Sequence, residues 1–189
     1  MTIASVKTSN TIDQAVCLLH SGGVIAYPTE YCFGLGCDPR NDRAIERLLK
    51  VKHRHPEQGV ILIASSVDQV SMYVDLDASP ILSTVLDSWP GPNTWLLPAL
   101  NNVSAWIKGH HSTVAVRVTA HPISQQLCDG FGGAIVSTSA NRHGKPALLD
   151  ARSVNNDMGS ELDIVVDELV GGASSASVIR DGITGKQLR

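Results

Sequence analysis

The sequence has few aromatic residues and no long apolar run. Phe, Trp and Tyr make up 4% of the 189 residues, which argues against a nucleic-acid surface built on base stacking. The longest aliphatic run, residues 60–64, is far shorter than the roughly 20 residues that cross a bilayer. The N-terminus lacks the basic start and apolar stretch of a secretory signal. We therefore expect a cytoplasmic protein without membrane contact.

Common nucleotide and hydrolase signatures are also missing. There is no G-x-x-x-x-G-K-[ST] loop, and Gly34-Leu35-Gly36 is followed by Pro39 where a dinucleotide fingerprint needs its third glycine. Neither H-E-x-x-H nor G-x-S-x-G occurs, which disfavours common metalloproteases and hydrolases. A chain of this sequence that binds phosphate groups must use another geometry.

The four cysteines contain no C-x-x-C pair, which favours free, reduced thiols. One metal alternative is a zinc site made from Cys32, Cys37, His53 and His55, two sulfurs and two nitrogens. The cysteine spacing is unusual for such a site, and both histidines lie in a basic stretch that repels a cation. We expect no metal site.

Alternating helical and strand-like segments predict an α/β fold. We expect a single domain over residues 1–189, with its core from about residue 8 to 189, and a twisted mixed sheet of about seven strands flanked by helices. A capping box at Thr11 predicts the start of the first helix, and Asp42 is expected to cap the second. The strand candidates are residues 24–27, 60–64, 95–98, 113–118, 134–136, 164–166 and 177–180.

The net charge of −3 hides two regions of opposite sign. A basic stretch at residues 40–54 is followed, far along the chain, by an acidic region at residues 150–168. The local positive charge suits a phosphate-bearing small molecule or an RNA backbone, and a solvated helix face is the alternative. The basic stretch consists of Arg40, Arg43, Arg47, Lys50, Lys52 and Arg54, six of the fifteen Lys and Arg.

Lys52-His53-Arg54 places two cations between a predicted helix and a predicted strand. In extended backbone, side chains two residues apart point the same way, so Lys52 and Arg54 could grip one polyphosphate. Chance surface charge is the alternative interpretation.

Polar residues follow two predicted strands, where open α/β sheets bind ligands. Ser137-Thr138-Ser139-Ala140-Asn141 follows residues 134–136, with a capping turn as the alternative. Pro28-Thr29-Glu30 follows another strand, and residues 33–36 offer flexible glycine backbone that a ligand can approach closely. An ordinary turn is the alternative for that segment.

Six motifs, in order along nearly the whole chain, carry a resemblance to a known family. Together they resemble the YrdC-type family. The resemblance implies a YrdC-like domain and a nucleotidyltransferase that makes threonylcarbamoyl-adenylate and diphosphate from L-threonine, bicarbonate and ATP. Partner proteins would then use the adenylate to modify the adenosine beside the anticodon of tRNAs that read codons beginning with A. The motifs are Pro28-Thr29-Glu30 with Phe33-Gly34-Leu35, Lys52-x-Arg54, Trp89-Pro90-Gly91-Pro92-x-Thr94, Ala115-Val116-Arg117-Val118-Thr119-x-His121-Pro122, Ser137-Thr138-Ser139-Ala140-Asn141 and Ser177-x-Ile179-Arg180.

The resemblance also implies roles for individual residues. Lys52 and Arg54 would hold the ATP phosphates and neutralise charge during catalysis, without a protein nucleophile. ATP is then a substrate that brings its own Mg2+. The other implied residues are Ser139 and Asn141 for the joint ATP and threonine site, Arg117 and Arg189 for ATP, and Thr29 and Ser177 for threonine.

This sequence departs from the family pattern at two places. Tyr31 and Phe33 stand where Thr and Tyr are common, and Arg142-His143 stands where an apolar residue and Ser are common. Phe33 lacks the hydroxyl that a tyrosine would offer to threonine.

The sequence also allows two functions other than threonylcarbamoyl-adenylate synthesis. One is a module that binds double-stranded RNA or tRNA through the basic stretch, weakly and in a salt-sensitive way because the chain is acidic overall. The other is a related enzyme that makes a different carbamoyl-adenylate, as the similar domain of hydrogenase-maturation proteins does.

Overall fold

Eight strands form one mixed sheet in the computed structural model, which describes residues 3–142 and 144–189. The strand order is β7-β1-β2-β6-β3-β5-β4-β8, and the pairs β1–β7, β3–β5 and β4–β8 are parallel while the other neighbours are antiparallel. The strands are β1 (Ile25–Pro28), β2 (Phe33–Gly36), β3 (Ile61–Ala64), β4 (Asn93–Pro98), β5 (Thr113–Val118), β6 (Ile135–Ser139), β7 (Ile164–Val165) and β8 (Val178–Asp181).

Helices cover both faces of this sheet. On one face, α1 and α6 pack together through Leu19, Leu127 and Phe131 against Tyr27 and other strand residues. The opposite face carries the larger apolar cluster, to which α2 contributes its buried side. The helices are α1 (Ile3–His20), α2 (Asp42–Lys52), α3 (Val67–Ser71), α4 (Leu82–Asp87), α5 (Ala105–Lys108), α6 (Pro122–Phe131) and α7 (Ala151–Met158), with short 3-10 turns at Pro56–Gln58 and Gly159–Glu161.

The predicted α/β fold with a mixed sheet is confirmed, with eight strands in place of about seven. The additional strand is β2, which we predicted to be flexible backbone. Its four residues are all buried, and Gly34 and Gly36 pair with Tyr27 and Ile25 of β1. The flexible-loop prediction is wrong because a glycine without a side chain can lie directly beside the ring of Tyr27.

Replacing Gly36 by Ala should lower the free energy of unfolding by about 1 to 3 kcal/mol. A Cβ there would lie 2.7 Å from Cε1 of the buried Tyr27 ring and 2.9 Å from the carbonyl oxygen of Val136. Gly133→Ala is the control, since a Cβ at Gly133 meets nothing within 4 Å. Urea denaturation measures both variants, and an equal midpoint for the two would contradict the prediction.

Two predicted helix starts are corrected. Helix α1 begins at Ile3, so Thr11 lies within it and does not mark its start, because residues 3–10 contain no proline or glycine to delay the helix. Asn41, one residue before Asp42, caps α2, and its side chain accepts the N–H of Ala44 at 3.2 Å. Asp42 occupies the first turn, where a negative charge favours the helix dipole.

Strand β6 runs further than its apolar residues predict. Ser137, Thr138 and Ser139 belong to it and pair with Ile61, Leu35 and Gly34 of the two flanking strands. A central strand paired on both sides can continue through polar residues, because its backbone hydrogen bonds do not depend on side-chain type. The hydroxyl groups therefore lie on a rigid strand.

None of the described helices is long and apolar enough to span a bilayer.

Candidate active site

A cavity of about 130 Å3 lies where the β1–β2 turn, the ends of β5 and β6, and residues 175–177 come together. Six of the eight predicted site residues line it. Lys52 and Asn141 do not line it, but both are hydrogen-bonded to Ser139, which does. The six are Thr29, Arg54, Arg117, Ser139, Ser177 and Arg189.

A second cavity, of about 320 Å3, adjoins the first. Arg54, Ile61 and Arg189 line both cavities and form the boundary between them. Half of the residues that line the larger cavity are aliphatic and most of the others are polar or charged, which suits a flat, partly polar ring system. Its aliphatic residues include Val60, Leu96, Ala115, Ile179 and Leu188, and its polar residues include Lys108, His111 and Thr113.

Lys52 and Arg54 lie near each other for a reason different from the one we predicted. The backbone between them is not extended: Lys52 ends α2, and His53 adopts a left-handed conformation with φ 54° and ψ 44°. The N–H groups of His53 and Arg54 bond to carbonyls of the last helical turn. The helix therefore ends in a left-handed cap, with Lys52 buried and Arg54 on the cavity wall.

The ammonium group of Lys52 holds the turn that follows β6. Its Nζ donates to the carbonyl oxygens of Ser139 and Asn141 at 2.5 and 3.1 Å, and to Oδ1 of Asn141 at 2.9 Å. Ser139 donates its hydroxyl to the same Oδ1 at 2.7 Å. Burial, with the positive charge of Arg54, lowers the pKa of Lys52 to about 8. Lys52 therefore fixes the two residues predicted for the joint substrate site.

Arg54 and Arg189 supply positive charge at the boundary of the two cavities. Arg54 donates from Nη2 to the carbonyl of Gly59 at 2.8 Å and from Nη1 to the hydroxyl of Thr138 at 3.4 Å. Its Nε is buried and has no partner among the described residues. Burial and the charge of Arg189 lower the pKa of Arg54. An anion at this boundary would supply the missing acceptor and relieve the repulsion between the two guanidinium groups.

Arg117 forms a buried ion pair with Glu30, a residue that the sequence analysis did not assign. Its Nη1 lies 2.7 Å from Oε2 of Glu30. Oε1 of Glu30 accepts the hydroxyl of Thr119 at 2.8 Å and the N–H of Ala120 at 3.1 Å. The Nε of Arg117 is buried and has no partner among the described residues. A buried N–H without an acceptor costs about 1 to 3 kcal/mol, so Arg117 is also suited to bind an anion.

Thr29 and Ser177 place hydroxyl groups on the wall of the smaller cavity. Thr29 is buried and donates its hydroxyl proton to the carbonyl of Cys32 at 2.8 Å, which leaves its oxygen as an acceptor. The hydroxyls of Ser177 and Thr94 are 2.9 Å apart, and Nη2 of Arg189 donates to the carbonyl of Ser177 at 3.2 Å. Thr29 and Ser177 therefore lie at the cavity with their positions fixed by hydrogen bonds, as does Ser139, the third residue predicted for threonine.

The basic stretch is not the open positive surface that its sequence suggests. Arg40 pairs with Asp38 at 2.9 Å, Lys50 with Glu46 at 2.8 Å, and Arg47 with Asp163 at 2.6 Å. The last pair joins the basic stretch to the acidic region 116 residues away. Much of the positive charge is thus neutralised within the fold.

The zinc alternative finds no support. The portion of the chain that the structure describes contains no group of three or more His, Cys, Asp or Glu side chains placed to hold a metal ion. Cys32 and Cys37 are buried free thiols, whereas His53 and His55 are exposed.

Comparison with known proteins decides the family. A family model for Sua5, YciO and YrdC proteins, described as telomere recombination, matches residues 17–189. The chain belongs to the Sua5/YciO/YrdC family. This confirms the resemblance that the six sequence motifs carry.

Relatives in the Sua5/YciO/YrdC family match nearly the whole chain. The threonylcarbamoyl-AMP synthase of Alkalilimnicola ehrlichii is 49% identical over 181 residues, covering 94% of each chain. That of Coxiella burnetii is 44% identical, covering 96% of this chain and 97% of the relative. A P. abyssi Sua5 chain solved in complex with L-threonine is 30% identical with a TM-score of 0.83, over 90% of this chain and 50% of that one. This chain thus spans about half the length of that Sua5 chain.

The smaller cavity is also lined by residues that were not assigned from the sequence. Tyr31 and Phe33, which form the first departure from the family pattern, line it, and the ring of Phe33 is fully buried. Arg142 donates to the carbonyl of Val51 and pairs with Glu161, while His143 lies outside the described residues. The charge of Glu30 within a strand-end motif was a signal that could have identified it. The remaining unassigned lining residues are Cys32, Gly34, Ile61, Pro92, Ser137, Thr138, Ser175 and Ala176.

Proposed function

We propose that this chain is a threonylcarbamoyl-AMP synthase, which converts L-threonine, bicarbonate and ATP into threonylcarbamoyl-adenylate and diphosphate. The observation that carries the proposal is the single cavity lined by six residues expected for those substrates. Relatives of 44 and 49% identity bear this name. The adenylate would supply cytoplasmic proteins that modify the adenosine beside the anticodon of tRNAs that read codons beginning with A.

ATP would span the boundary between the two cavities. The triphosphate is proposed to bind Arg54 and Arg189, which line both cavities, with Mg2+ entering as part of the nucleotide substrate. The adenine ring would then occupy the larger cavity, whose lining combines aliphatic and polar residues. Lys52 and Asn141 would act at the joint ATP and threonine site through the Ser139 turn that they hold.

Threonine would occupy the smaller cavity, where Thr29 and Ser177 present hydroxyl groups. The family resemblance implies that Arg117 binds ATP, but its ion pair with Glu30 already neutralises much of its charge. A guanidinium in that state suits a single carboxylate better than a triphosphate. We therefore propose that Arg117 binds the carboxylate of threonine.

The proposed reaction requires positioning and charge neutralisation more than a strong protein base. The free amine of threonine attacks the carbon of bicarbonate or carbon dioxide, and with bicarbonate one water leaves as the carbamate forms. A carbamate oxygen attacks the α-phosphorus in line, the bond from that phosphorus to the bridging oxygen breaks, and diphosphate leaves. Arg54 and Arg189 would neutralise charge on the leaving diphosphate.

The three-substrate assay tests this function. Purified protein with Mg2+ should release diphosphate only when ATP, L-threonine and bicarbonate are present together. Release at the same rate without threonine, or none above background with all three, would contradict the proposal. Carbamoyl phosphate in place of threonine and bicarbonate tests the related carbamoyl-adenylate enzyme, and activity with it alone would favour that alternative.

The protein should take up protons when it binds the nucleotide at a pH near 8.5. The pKa of Lys52 is lowered to about 8 by burial and by Arg54, so much of the side chain is neutral at that pH. A nearby triphosphate favours the ammonium form and raises this pKa, so Lys52 gains a proton on binding. Calorimetry at pH 8.5 in buffers of different ionisation enthalpy measures the uptake. Lys52→Met should abolish it, and an equal uptake in that variant would assign the proton to another group.

Binding of RNA has less support than the synthase activity. The ion pairs of Arg40, Arg47 and Lys50 leave less free positive charge for a phosphate backbone than the sequence suggests. Binding of tRNA by this chain would therefore be weak and salt-sensitive. Tight tRNA binding without measurable nucleotide affinity would reverse this ranking.

A further inference from the structure

Glu30 is a carboxylate on the wall of the smaller cavity whose two oxygens both accept hydrogen bonds from the protein. Its side chain is only 12% exposed and that of its partner Arg117 only 8%. Oε2 binds Arg117, and Oε1 binds the hydroxyl of Thr119 and the N–H of Ala120. The backbone is held too, because the carbonyl of Glu30 accepts the N–H of Ala173 at 3.0 Å. Glu30 is therefore fixed at both its backbone and its carboxylate.

Arg117 depends on Glu30 for its orientation. Among the described residues, Nη1 of Arg117 bonds to Glu30 and the buried Nε has no partner. A guanidinium is a rigid plane with five donors, so holding Nη1 against Glu30 restricts the direction of the other donors. Arg117 lines the cavity, and its remaining donors are available to an anionic ligand there.

The cavity cations fall into two groups that differ in net charge. No ion pair between described residues joins an Asp or Glu side chain to Arg54 or Arg189, whereas Arg117 is paired with Glu30. A triphosphate carries several negative charges and favours guanidinium groups, such as those of Arg54 and Arg189, that no Asp or Glu side chain pairs with. A threonine carboxylate carries one charge, which matches a guanidinium already bound to one carboxylate. The negative charge of Glu30 also repels phosphate from this end of the cavity.

From this arrangement we propose that Glu30 is a positioning and specificity-determining residue: it directs Arg117 toward the carboxylate of the amino-acid substrate and keeps phosphate groups away from that site. The inference rests on the proposed function, because it presumes that threonine and ATP bind in one reaction. The buried carboxylate of Glu30 would thus divide the binding region into an amino-acid end and a phosphate end.

Glu30→Gln tests the proposal, because the amide keeps a similar shape and loses the negative charge. The KM for threonine should rise about tenfold or more, with the KM for ATP within about twofold of wild type. Inorganic phosphate should compete with ATP in the wild-type enzyme and, in Glu30→Gln, with threonine as well. A residue with only a structural role would not create this new competition.

Two further variants separate charge from shape. Glu30→Asp keeps the charge on a shorter side chain, so we expect a raised KM for threonine without competition by phosphate. Asp163→Asn is the matched control: Asp163 also pairs with an arginine, Arg47, and accepts a backbone N–H, that of Val24, but it does not line the cavity. This control should leave the threonine and ATP KM values and the phosphate pattern unchanged.

The outcomes distinguish this inference from the proposed function. An unchanged threonine KM in Glu30→Gln, an equal rise in both KM values, or phosphate that still competes only with ATP would each overturn the inference while the synthase activity stands. If the wild-type protein releases no diphosphate with all three substrates, the proposed function fails. In that case, calorimetric titration with L-threonine and with inorganic phosphate still measures the affinity of the wild type and both Glu30 variants for each ligand. Unchanged phosphate affinity in Glu30→Gln would reject the inference there also.

Discussion

Arg54→Ala should lower kcat/KM for ATP by about 100-fold or more while the KM for threonine stays near the wild-type value. Arg54 lines both cavities, and its buried Nε has no partner among the described residues. Each charge-assisted hydrogen bond to a phosphate is worth about 1.5 to 3 kcal/mol, and removing one donor to a developing oxyanion typically costs 100- to 1,000-fold in rate. Initial rates of diphosphate release, with ATP and threonine varied in turn, measure both parameters.

Two variants complete this experiment. Arg152→Ala removes an exposed arginine of α7 and should leave both parameters unchanged. Arg54→Lys keeps a positive charge without the planar fork, so we expect an activity between those of wild type and Arg54→Ala. If Arg54→Ala turns over ATP normally, the boundary between the two cavities is not the triphosphate site.

The proximity of Lys52 and Arg54 could be predicted from the sequence, but its cause could not. Side chains two residues apart also point together in an extended strand, so the sequence spacing gives the same result by a different geometry. The observed cause is the left-handed conformation of His53 at the end of α2. Non-glycine residues adopt it infrequently, and a histidine carries little signal for it. The helix also explains why Lys52 is buried while Arg54 lies at the cavity.

The sheet was predictable wherever apolar residues are consecutive, and less so where they are not. Strands β3 and β5 follow their aliphatic residues closely. Strand β2 contains two glycines, and the end of β6 contains three hydroxyl residues, so both resemble loops in sequence. Their pairing with neighbours on both sides overrides that local preference. Those two segments also line the cavity, so the regions where prediction failed form part of the candidate site.

Long-range charge pairing was beyond what the sequence could reveal. The carboxylate of Glu30 and the guanidinium of Arg117 are separated by 87 residues, and Arg47 and Asp163 by 116. Without the fold, a run of cations predicts an open basic surface, and an isolated glutamate predicts a solvated side chain. In the fold, Asp163 neutralises the charge of Arg47 in the basic stretch, and Glu30 is buried in its ion pair with Arg117. The charge available to substrates is therefore set by tertiary contacts.

Lys52→Met should lower kcat/KM for ATP and for threonine alike, each by about 100-fold. The methionine keeps the bulk of the side chain but removes the donor that holds the carbonyls of Ser139 and Asn141. Both substrates are affected because those two residues form the proposed joint site, whereas loss of Arg54 affects the phosphate end. The two carbonyls lose a buried partner, at a cost of about 1 to 3 kcal/mol per unsatisfied group, which favours rearrangement of the turn.

Lys50→Met, on the exposed side of the same helix, is the matched control. It removes a positive charge two residues from Lys52, and we expect wild-type rates for both substrates. Thermal unfolding of both variants excludes loss of the fold as the cause of any inactivity. If Lys52→Met reduces kcat/KM for ATP but not for threonine, Lys52 acts on the phosphates directly, and the role of its contacts with Ser139 and Asn141 in threonine binding is rejected.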